Sequence, residues 1–351
     1  HSRAADTNQM ETILQRRLTH GRPPSPVPMP DPPARVPLPR RPSLAFFTLP
    51  SRFSEAVKRC EQALEGADVL VGFGGYVSTP AYIAAKRAGV PIVIHEQNAR
   101  PGLANKVGAR NARVVALTFP SSPLAARVGE TVVTGLPLRS AIADLANRRA
   151  TSEGAAQARR EAAERLGVDP EAPTLLVTGG SLGALHMNES MTGGADALPE
   201  GAQVVHLTGR GKDEPVRAAV EAAGLSDRWH VIDYLRTMED ALAVADLVVC
   251  RSGAGTVAEM EALGLPCIYV PLPIGNGEQR LNAKDHVEAG GAQLIDDKDF
   301  TADFVRSNVF PLLGSTRLAE MAAASQSLGR AGAARALADL ALAQVKEDGH
   351  E

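Results

Sequence analysis

Short runs that are apolar at nearly every position recur along most of the chain, each separated from the next by a stretch of helical period. Few folds accommodate that pattern. A strand with one wet face alternates apolar and polar residues, whereas a strand apolar throughout is covered on both sides, as in a parallel sheet flanked by helices. A first series places strands at 68–72, 91–94, 113–117 and 131–134 and helices at 54–65, 79–88 and 101–109, with Ala56, Val57, Cys60 and Leu64 on one face of the first helix. A second series places strands at 174–178, 203–207, 230–232, 246–250, 266–270 and 292–295. The polar Ala/Arg/Glu-rich stretch between them reads as a linker containing an amphipathic helix. With 351 residues, more than one core usually organises, the expected architecture is α/β with two doubly wound units. The expected boundaries are 1–140 for the first domain, 141–172 for the linker, 173–330 for the second domain and 331–351 for a C-terminal helix.

Charge and proline are unevenly spread. Thirty-seven basic against forty acidic residues give a net charge of −3, which argues against a nucleic-acid partner because phosphate contacts need clustered excess cation. Residues 1–60 nevertheless carry ten Arg/Lys against four Asp/Glu. Eleven of the 25 prolines fall between Pro23 and Pro50, where they deny the backbone helical continuity and ladder donors. That stretch reads as an extended connector. Arg40, Arg41, Phe46, Phe47, Arg52 and Phe53 at its end combine cations and aromatics, which suits either an anionic lipid surface or packing on the chain's own domain. The longest apolar runs are far short of the roughly 20 residues of a membrane-spanning helix. Cys60, Cys250 and Cys267 are too widely spaced for a disulfide framework or a zinc site and read as small core residues. The chain begins at His1 with no secretory leader following, so a cytoplasmic location is expected.

Ligands of open parallel sheets bind outside the carboxyl ends of the strands, and the loops there are glycine-rich. They are Gly72-Phe73-Gly74-Gly75-Tyr76-Val77-Ser78, Gly179-Gly180-Ser181-Leu182-Gly183-Ala184 and Arg251-Ser252-Gly253-Ala254-Gly255-Thr256, the last opening a helix that carries Glu259. Glycine permits close backbone approach, and the free N–H groups of the following helix attract an anion such as a diphosphate. None of the loops fits a nicotinamide or P-loop fingerprint. Glu259, beside a phosphate site, needs hydrogen-bond donors, and the cis-hydroxyls of a ribose supply them. Two polar clusters, His95-Glu96-Gln97-Asn98 and Asn276 to Asn282, also stand at strand ends. His186, His206 and His286 stand alone and read as structural.

In sequence order, these glycine loops, the His95-Glu96-Gln97-Asn98 cluster and Arg251 to Glu259 resemble the motif series of the MurG family, over roughly residues 11–342. The family is that of the undecaprenyldiphospho-muramoylpentapeptide β-N-acetylglucosaminyltransferases. The resemblance implies the GT-B fold, two Rossmann-like domains facing across a cleft. It implies inverting transfer of N-acetylglucosamine from UDP-N-acetylglucosamine to the 4-hydroxyl of lipid I, giving lipid II for peptidoglycan synthesis at the cytoplasmic face of the membrane. The implied partners are the UDP-sugar, undecaprenyl-diphosphate-linked lipid I and an anionic membrane surface. Carried over residue by residue, Asn98 touches the sugar, Arg139 the diphosphate and Ser181 the phosphate or uridine. Leu235 offers its backbone to the uracil. Ala254, Gly255, Thr256, Val257, Ala258 and Glu259 form the helix-start cradle with Glu259 on the ribose, and Gln279 binds sugar hydroxyls. Gly74, Gly75, Tyr76 and Ser78 form an acceptor or phosphate loop. No metal or cofactor is expected, since a helix N-terminus and an arginine can neutralise the departing UDP.

The chain departs from the family in three places. Leu182 replaces a Gln, Glu278 stands where a second Gln is common, and residues 1–10 do not resemble the family's opening glycine-rich loop ending in His. Either the sequence is truncated at its start or part of the acceptor site is lost. Two alternatives follow, a catalytically impaired UDP-sugar-binding relative and a nucleotide-sugar epimerase of the same architecture. Within the chain, His95 and Glu96 are the candidates for the base that takes the acceptor's proton, His95 first because imidazole titrates near neutral pH.

Overall fold

The computed structural model describes residues 13–16, 49–180, 184–273 and 277–345. Arg40, Arg41, Phe46, Phe47, Ser181 and Leu182 lie outside the described residues, as does the proline-rich connector up to residue 48. The chain forms two compact units, one of residues up to Leu136 together with those from Ala333 onward, the other Pro137–Gly332.

The first unit is a five-stranded sheet in the order β1-β2-β3-β4-β5. Its elements are β1 (Ile13–Arg16), α1 (Leu49–Ala63), β2 (Ala67–Gly72), α2 (Ser78–Ala88), β3 (Ile92–Glu96), α3 (Leu103–Gly108), β4 (Val114–Leu117) and β5 (Glu130–Val133). Strands β2 to β5 are parallel, with Leu70 opposite Ile92, Val93 opposite Val114 and Val114 opposite Glu130. The sequence reading had no counterpart to β1, which lies antiparallel on the edge with Ile13 opposite Val71; such an edge strand is common on otherwise parallel sheets.

Both faces of its central strands β3 and β4 are buried, and the two-residue period of the strands divides their side chains between two layers. Leu70, Ile92, Ile94, Val115 and Leu117 pack with Val57 of α1, Tyr82 and Ala85 of α2 and Ala104 of α3. Phe53, for which lipid contact and packing on the chain's own domain were both open, is partly buried against that cluster, because it lies four residues before Val57 on the inward face of α1. Val69, Val93, Val114 and Ala116 point to the other layer.

The second unit holds α4 (Ser140–Arg149), α5 (Ser152–Leu166), β6 (Thr174–Thr178), α6 (Leu185–Gly193), β7 (Gln203–Leu207), α7 (Asp213–Ala222), β8 (Trp229–Ile232), α8 (Met238–Val244) and β9 (Leu247–Cys250). There follow α9 (Ala254–Leu263), β10 (Cys267–Tyr269), α10 (Glu278–Asn282), α11 (Lys284–Glu288), β11 (Ala292–Leu294), α12 (Ala302–Phe304) and α13 (Thr316–Leu328). Its sheet is parallel throughout, in the order β11-β10-β9-β6-β7-β8. Trp229 and Phe310 meet edge to face in its core, ring centroids 6.3 Å apart. Cys250 and Cys267 are buried in β9 and β10, as expected of small core residues.

The stretch 141–172, expected as a linker, is instead part of this unit. α4 buries Ile142, Leu145 and Ala146, whereas the buried face of α5 is small, made of Ala158, Ala162 and Ala163, and a polar clamp supplements it. Arg159 donates from Nη1 and Nη2 to the two carboxylate oxygens of Asp246, each at 2.9 Å, and from Nε to Pro170 O at 2.6 Å. Asp246 also accepts from the Thr174 N–H at 2.8 Å. One guanidinium thus secures α5 to the amino ends of β6 and β9, the edge opposite the strands' carboxyl ends.

The last helix, α14 (Ala333–Leu342), returns to the first unit. Its Leu337 and Ala341 cover Val69, Val93, Val114 and Ala116. No helix among the described residues is long and apolar enough to cross a membrane.

Candidate functional site

Strand order marks a candidate site in the second unit. From β6 the chain runs to β7 and β8 on one side, then crosses to β9, β10 and β11 on the other. The loops leaving β6 and β9 therefore diverge, opening a crevice at their carboxyl ends where Thr178 is opposite Cys250. Gly179 and Gly180 line one side, Gly180 with φ +80°, a conformation that disfavours a side chain. Arg251, Ser252 and Gly253 line the other and lead into α9.

The start of α9 leaves backbone donors open. Gly253 is its extended cap residue with no side-chain cap, and Val257 N–H is the first to bond back, to Gly253 O at 3.0 Å. The N–H groups of Ala254, Gly255 and Thr256 are thus the ones helix geometry leaves open. Gly255 is exposed and Ala254 and Thr256 half-buried, while Val257 and Ala258 are buried. The last two contribute packing under the cradle, not side chains within it. Ser252 is fully buried, and its Oγ has no hydrogen-bond partner among the described residues.

Glu259 sits one turn into α9, its side chain 17% exposed, and accepts a hydrogen bond at 3.1 Å from Nη2 of Arg139, which caps the start of α4. Burial pushes the Glu259 carboxyl up, Arg139 draws it back down, and Glu239 adds to the rise. Gln279 of α10 is half-buried and its Oε1 accepts from the Leu272 N–H at 2.9 Å, so it braces the loop after β10. Leu235 is half-buried in the loop after β8, beside Tyr234, over whose ring Arg210 from the loop after β7 stacks at 4.0 Å.

Of the residues that hold these loops, the sequence reading named the histidines as structural but not their partners. Trp229 Nε1 donates to His206 Nδ1 at 3.3 Å, His206 Nε2 donates in turn to Asn188 Oδ1 at 3.0 Å, and Asn188 Nδ2 donates to Thr208 O at 3.2 Å. This chain joins α6 to the end of β7 around a histidine that burial keeps neutral, its pKa lowered to about 3. His286 is held between Tyr269 OH at 2.8 Å and Ser325 Oγ at 2.7 Å. His206 and His286 are thus structural, as expected. His186 instead lies 3.3 Å from Asp297 Oδ2, while Arg251 Nη1 donates to Asp297 Oδ1 and to Val270 O. Arg251 is the one member of this set that the motif reading contained.

The remaining expected residues belong to the first unit. Gly74 and Gly75 have φ of +89° and +88°, and Tyr76 projects from the turn, 79% exposed. Ser78 is buried and its Oγ donates to Gly74 O at 2.5 Å; its hydroxyl therefore supports the loop from within. Asn98 is half-buried and its N–H donates to Glu96 Oε1 at 3.0 Å.

His95 and Glu96 do not suit the role of base that their position at a strand end suggested. His95 is completely buried and donates from Nε2 to Gly135 O at 2.8 Å, and burial lowers its pKa, so the ring stays neutral and out of solvent. Glu96 is 3% exposed and its carboxylate accepts from the N–H groups of Asn98 and Gly102 and from Asn105 Nδ2. Asn105 also donates to His95 O at 3.3 Å and accepts from Tyr82 OH at 2.8 Å. These side chains organise the loop between β3 and α3. Counting polar residues at a strand end could not distinguish that from proton transfer.

Comparison with known proteins bears on the family and the fold. The glycosyltransferase family 28 N-terminal domain matches residues 9–117 and the glycosyltransferase family 28 C-terminal domain matches residues 174–340. A UDP-N-acetylglucosamine–N-acetylmuramyl-(pentapeptide) pyrophosphoryl-undecaprenol N-acetylglucosamine transferase of Bifidobacterium longum is 47% identical over 322 residues, 87% of this chain and 81% of that protein. The protein of the same name from Streptomyces coelicolor is 48% identical over 299 residues, 84% and 78% of the two chains. Among solved structures, MurG of Acinetobacter baumannii superposes with a TM-score of 0.69 at 27% identity, covering 84% of this chain and 79% of its own. A UDP-N-acetylglucosamine 2-epimerase from Listeria monocytogenes, described as putative, superposes at 0.60 with 17% identity over 87% and 82%, a likeness of fold alone.

Proposed function

Because the chain belongs to the MurG family of glycosyltransferase family 28, we infer how its two α/β domains carry out that family's reaction. The enzyme is an N-acetylglucosaminyltransferase that uses UDP-N-acetylglucosamine and lipid I, the undecaprenyl-pyrophosphoryl N-acetylmuramyl-pentapeptide, to make lipid II. The donor binds the second unit. The open N–H groups at the start of α9 meet the diphosphate, Glu259 accepts from the ribose hydroxyls, the backbone at Leu235 pairs with the uracil, and Gln279 contacts the sugar. The loop of Gly74, Gly75 and Tyr76 serves the acceptor.

Transfer proceeds with inversion. The acceptor 4-hydroxyl oxygen bonds to the anomeric carbon as the bond from that carbon to the β-phosphate oxygen breaks; the electron pair leaves with UDP and the hydroxyl proton passes to a base. The developing charge on UDP is met by amides already in place, which need no reorganisation as it forms. With both buried in loop support, neither His95 nor Glu96 is proposed as the base. The acceptor's lipid further implies work at a membrane surface, and α3 fits this. Leu103 is 82% exposed, and Lys106, Val107 and Arg110 continue its face at helical spacing, Lys106 and Arg110 exposed. An apolar and cationic stripe suits anionic headgroups.

The observation that carries the donor assignment is the α9 start with Glu259 one turn behind it. Glu259→Ala should weaken UDP by on the order of 1–3 kcal/mol, since buried ribose hydroxyls lose their acceptor. Calorimetry with UDP, alongside transfer of labelled N-acetylglucosamine to a lipid I analogue, checks it. Unchanged UDP affinity in the variant would remove Glu259 from the site. UDP binding without any transfer by the unmutated chain is the outcome expected of a relative that only binds the nucleotide sugar.

A further inference from the structure

The resemblance gives Arg139 to the diphosphate, but its only described partner is a carboxylate. Nη2 of Arg139 lies 3.1 Å from Glu259 Oε1. The two ends of that contact are unlike, since the arginine side chain is 59% exposed and the glutamate 17%. An exposed guanidinium can exchange its partner for water at little cost, whereas a carboxylate largely removed from water depends on the donors the protein supplies.

The surroundings of Glu259 make that dependence specific. The charged groups acting on it are Arg139, from the start of α4, and Glu239, from the first turn of α8, which opposes its ionisation as burial does. Arg139 is the sole cation among them. Glu261, on the same helix, is turned to other neighbours, Asp285 of α11 and Arg330 beyond α13.

We propose that Arg139 is a positioning residue, the counterion that keeps Glu259 a fixed carboxylate for the two ribose hydroxyls, and that it is not a ligand of the diphosphate. The inference rests on the reading that Glu259 receives the ribose. Its stereochemistry is undemanding. Each carboxylate oxygen has about two lone pairs, so Oε1 can keep its bond from Arg139 and accept one hydroxyl while Oε2 accepts the other.

The nucleoside without its phosphates discriminates between the two roles. Affinities for uridine and for UDP, by competition against a fluorescent UDP analogue, are compared in the full chain and in Arg139→Gln, Arg139→Lys, Glu259→Gln and the Arg139→Gln/Glu259→Gln double variant. Circular dichroism confirms that each is folded. The expected result is that Arg139→Gln weakens uridine and UDP by the same factor, roughly tenfold, and that Arg139→Lys, which retains the charge, recovers most of both. In Arg139→Gln the pH below which uridine binding declines should move upward, because a carboxyl deprived of its cation protonates more readily. In the Glu259→Gln background, Arg139→Gln should add nothing. Weakening of UDP alone, with uridine unchanged, would return the guanidinium to the diphosphate and overturn the proposal, and so would an unmoved pH profile. Unchanged uridine affinity in Glu259→Gln would instead overturn the ribose reading beneath it.

Discussion

Glu261, two residues beyond Glu259 on α9, has a different consequence. Its Oε1 is buried with no hydrogen-bond partner among the described residues, and burial, reinforced by Asp285 and only partly offset by Arg330, pushes its pKa up to about 8. In the unfolded chain the same carboxyl ionises in its ordinary range near 4.5. Between those values the folded state keeps a proton that the unfolded chain has released, so stability should fall as pH rises from about 4.5 to 8 and level off above. Glu261→Gln should remove that slope and stabilise the protein near pH 8 by on the order of 1–3 kcal/mol. Melting temperatures of both proteins across pH 5–8.5, roughly the window of the titration, measure it; parallel curves would mean that Glu261 ionises normally. His206 and His286 act in the opposite sense. Burial lowers their pKa values to about 3 and about 4, so their contribution is present above the ordinary imidazole value of 6.5 and is lost as pH falls towards those lowered values. At this scale the sequence was a partial guide. Glycine loops and Glu259 stood out by residue type and spacing, but the pairing with Arg139, 120 positions away, left no local signal. Nor did the burial of His95, because a polar residue ending an apolar strand looks the same whether its side chain meets solvent or a backbone carbonyl.

Elements were more legible than side chains. The strands over 174–178 and 203–207 coincide with β6 and β7, because continuous apolar runs are long enough to fill a covered strand and are bounded by turn residues. In the misassigned stretch 141–172, α4 buries Ile142, Leu145 and Ala146 over only ten residues, and the longer α5 is held by alanines and the Arg159 guanidinium. Neither produces the long apolar periodicity by which a packed helix is recognised. α3 shows the complementary case, a short helix whose outward face carries more chemistry than its inward one. If its stripe meets anionic lipid, Lys106→Glu with Arg110→Glu should reduce flotation with phosphatidylglycerol vesicles several-fold at low salt, and added salt should weaken the unmutated protein in the same direction. Flotation unchanged by the double substitution would place the lipid contact on another surface. UDP affinity should stay as it was, because the donor cradle is built from other elements.

For the molecule as a whole, the division of the two series of strands into two sheets follows the order of the chain, with one exception. α14 comes after the second unit in sequence yet completes the first. Leu337 is 5% exposed, in contact with the layer of Val69, Val93, Val114 and Ala116. Leu337→Asp would put a carboxylate into that layer and should destabilise the first unit by on the order of 3 kcal/mol or more. Scanning calorimetry of the full chain should show an earlier transition, while UDP added to the folded protein binds with unchanged affinity; equal loss of both would mean the two units melt as one. The discontinuity also sets an order of events on the ribosome. Synthesis reaches α14 only after every strand of both sheets has emerged, so one face of the first sheet waits uncovered, its valines available to chaperones, while the second unit already has all its parts. The half made first is the half finished last.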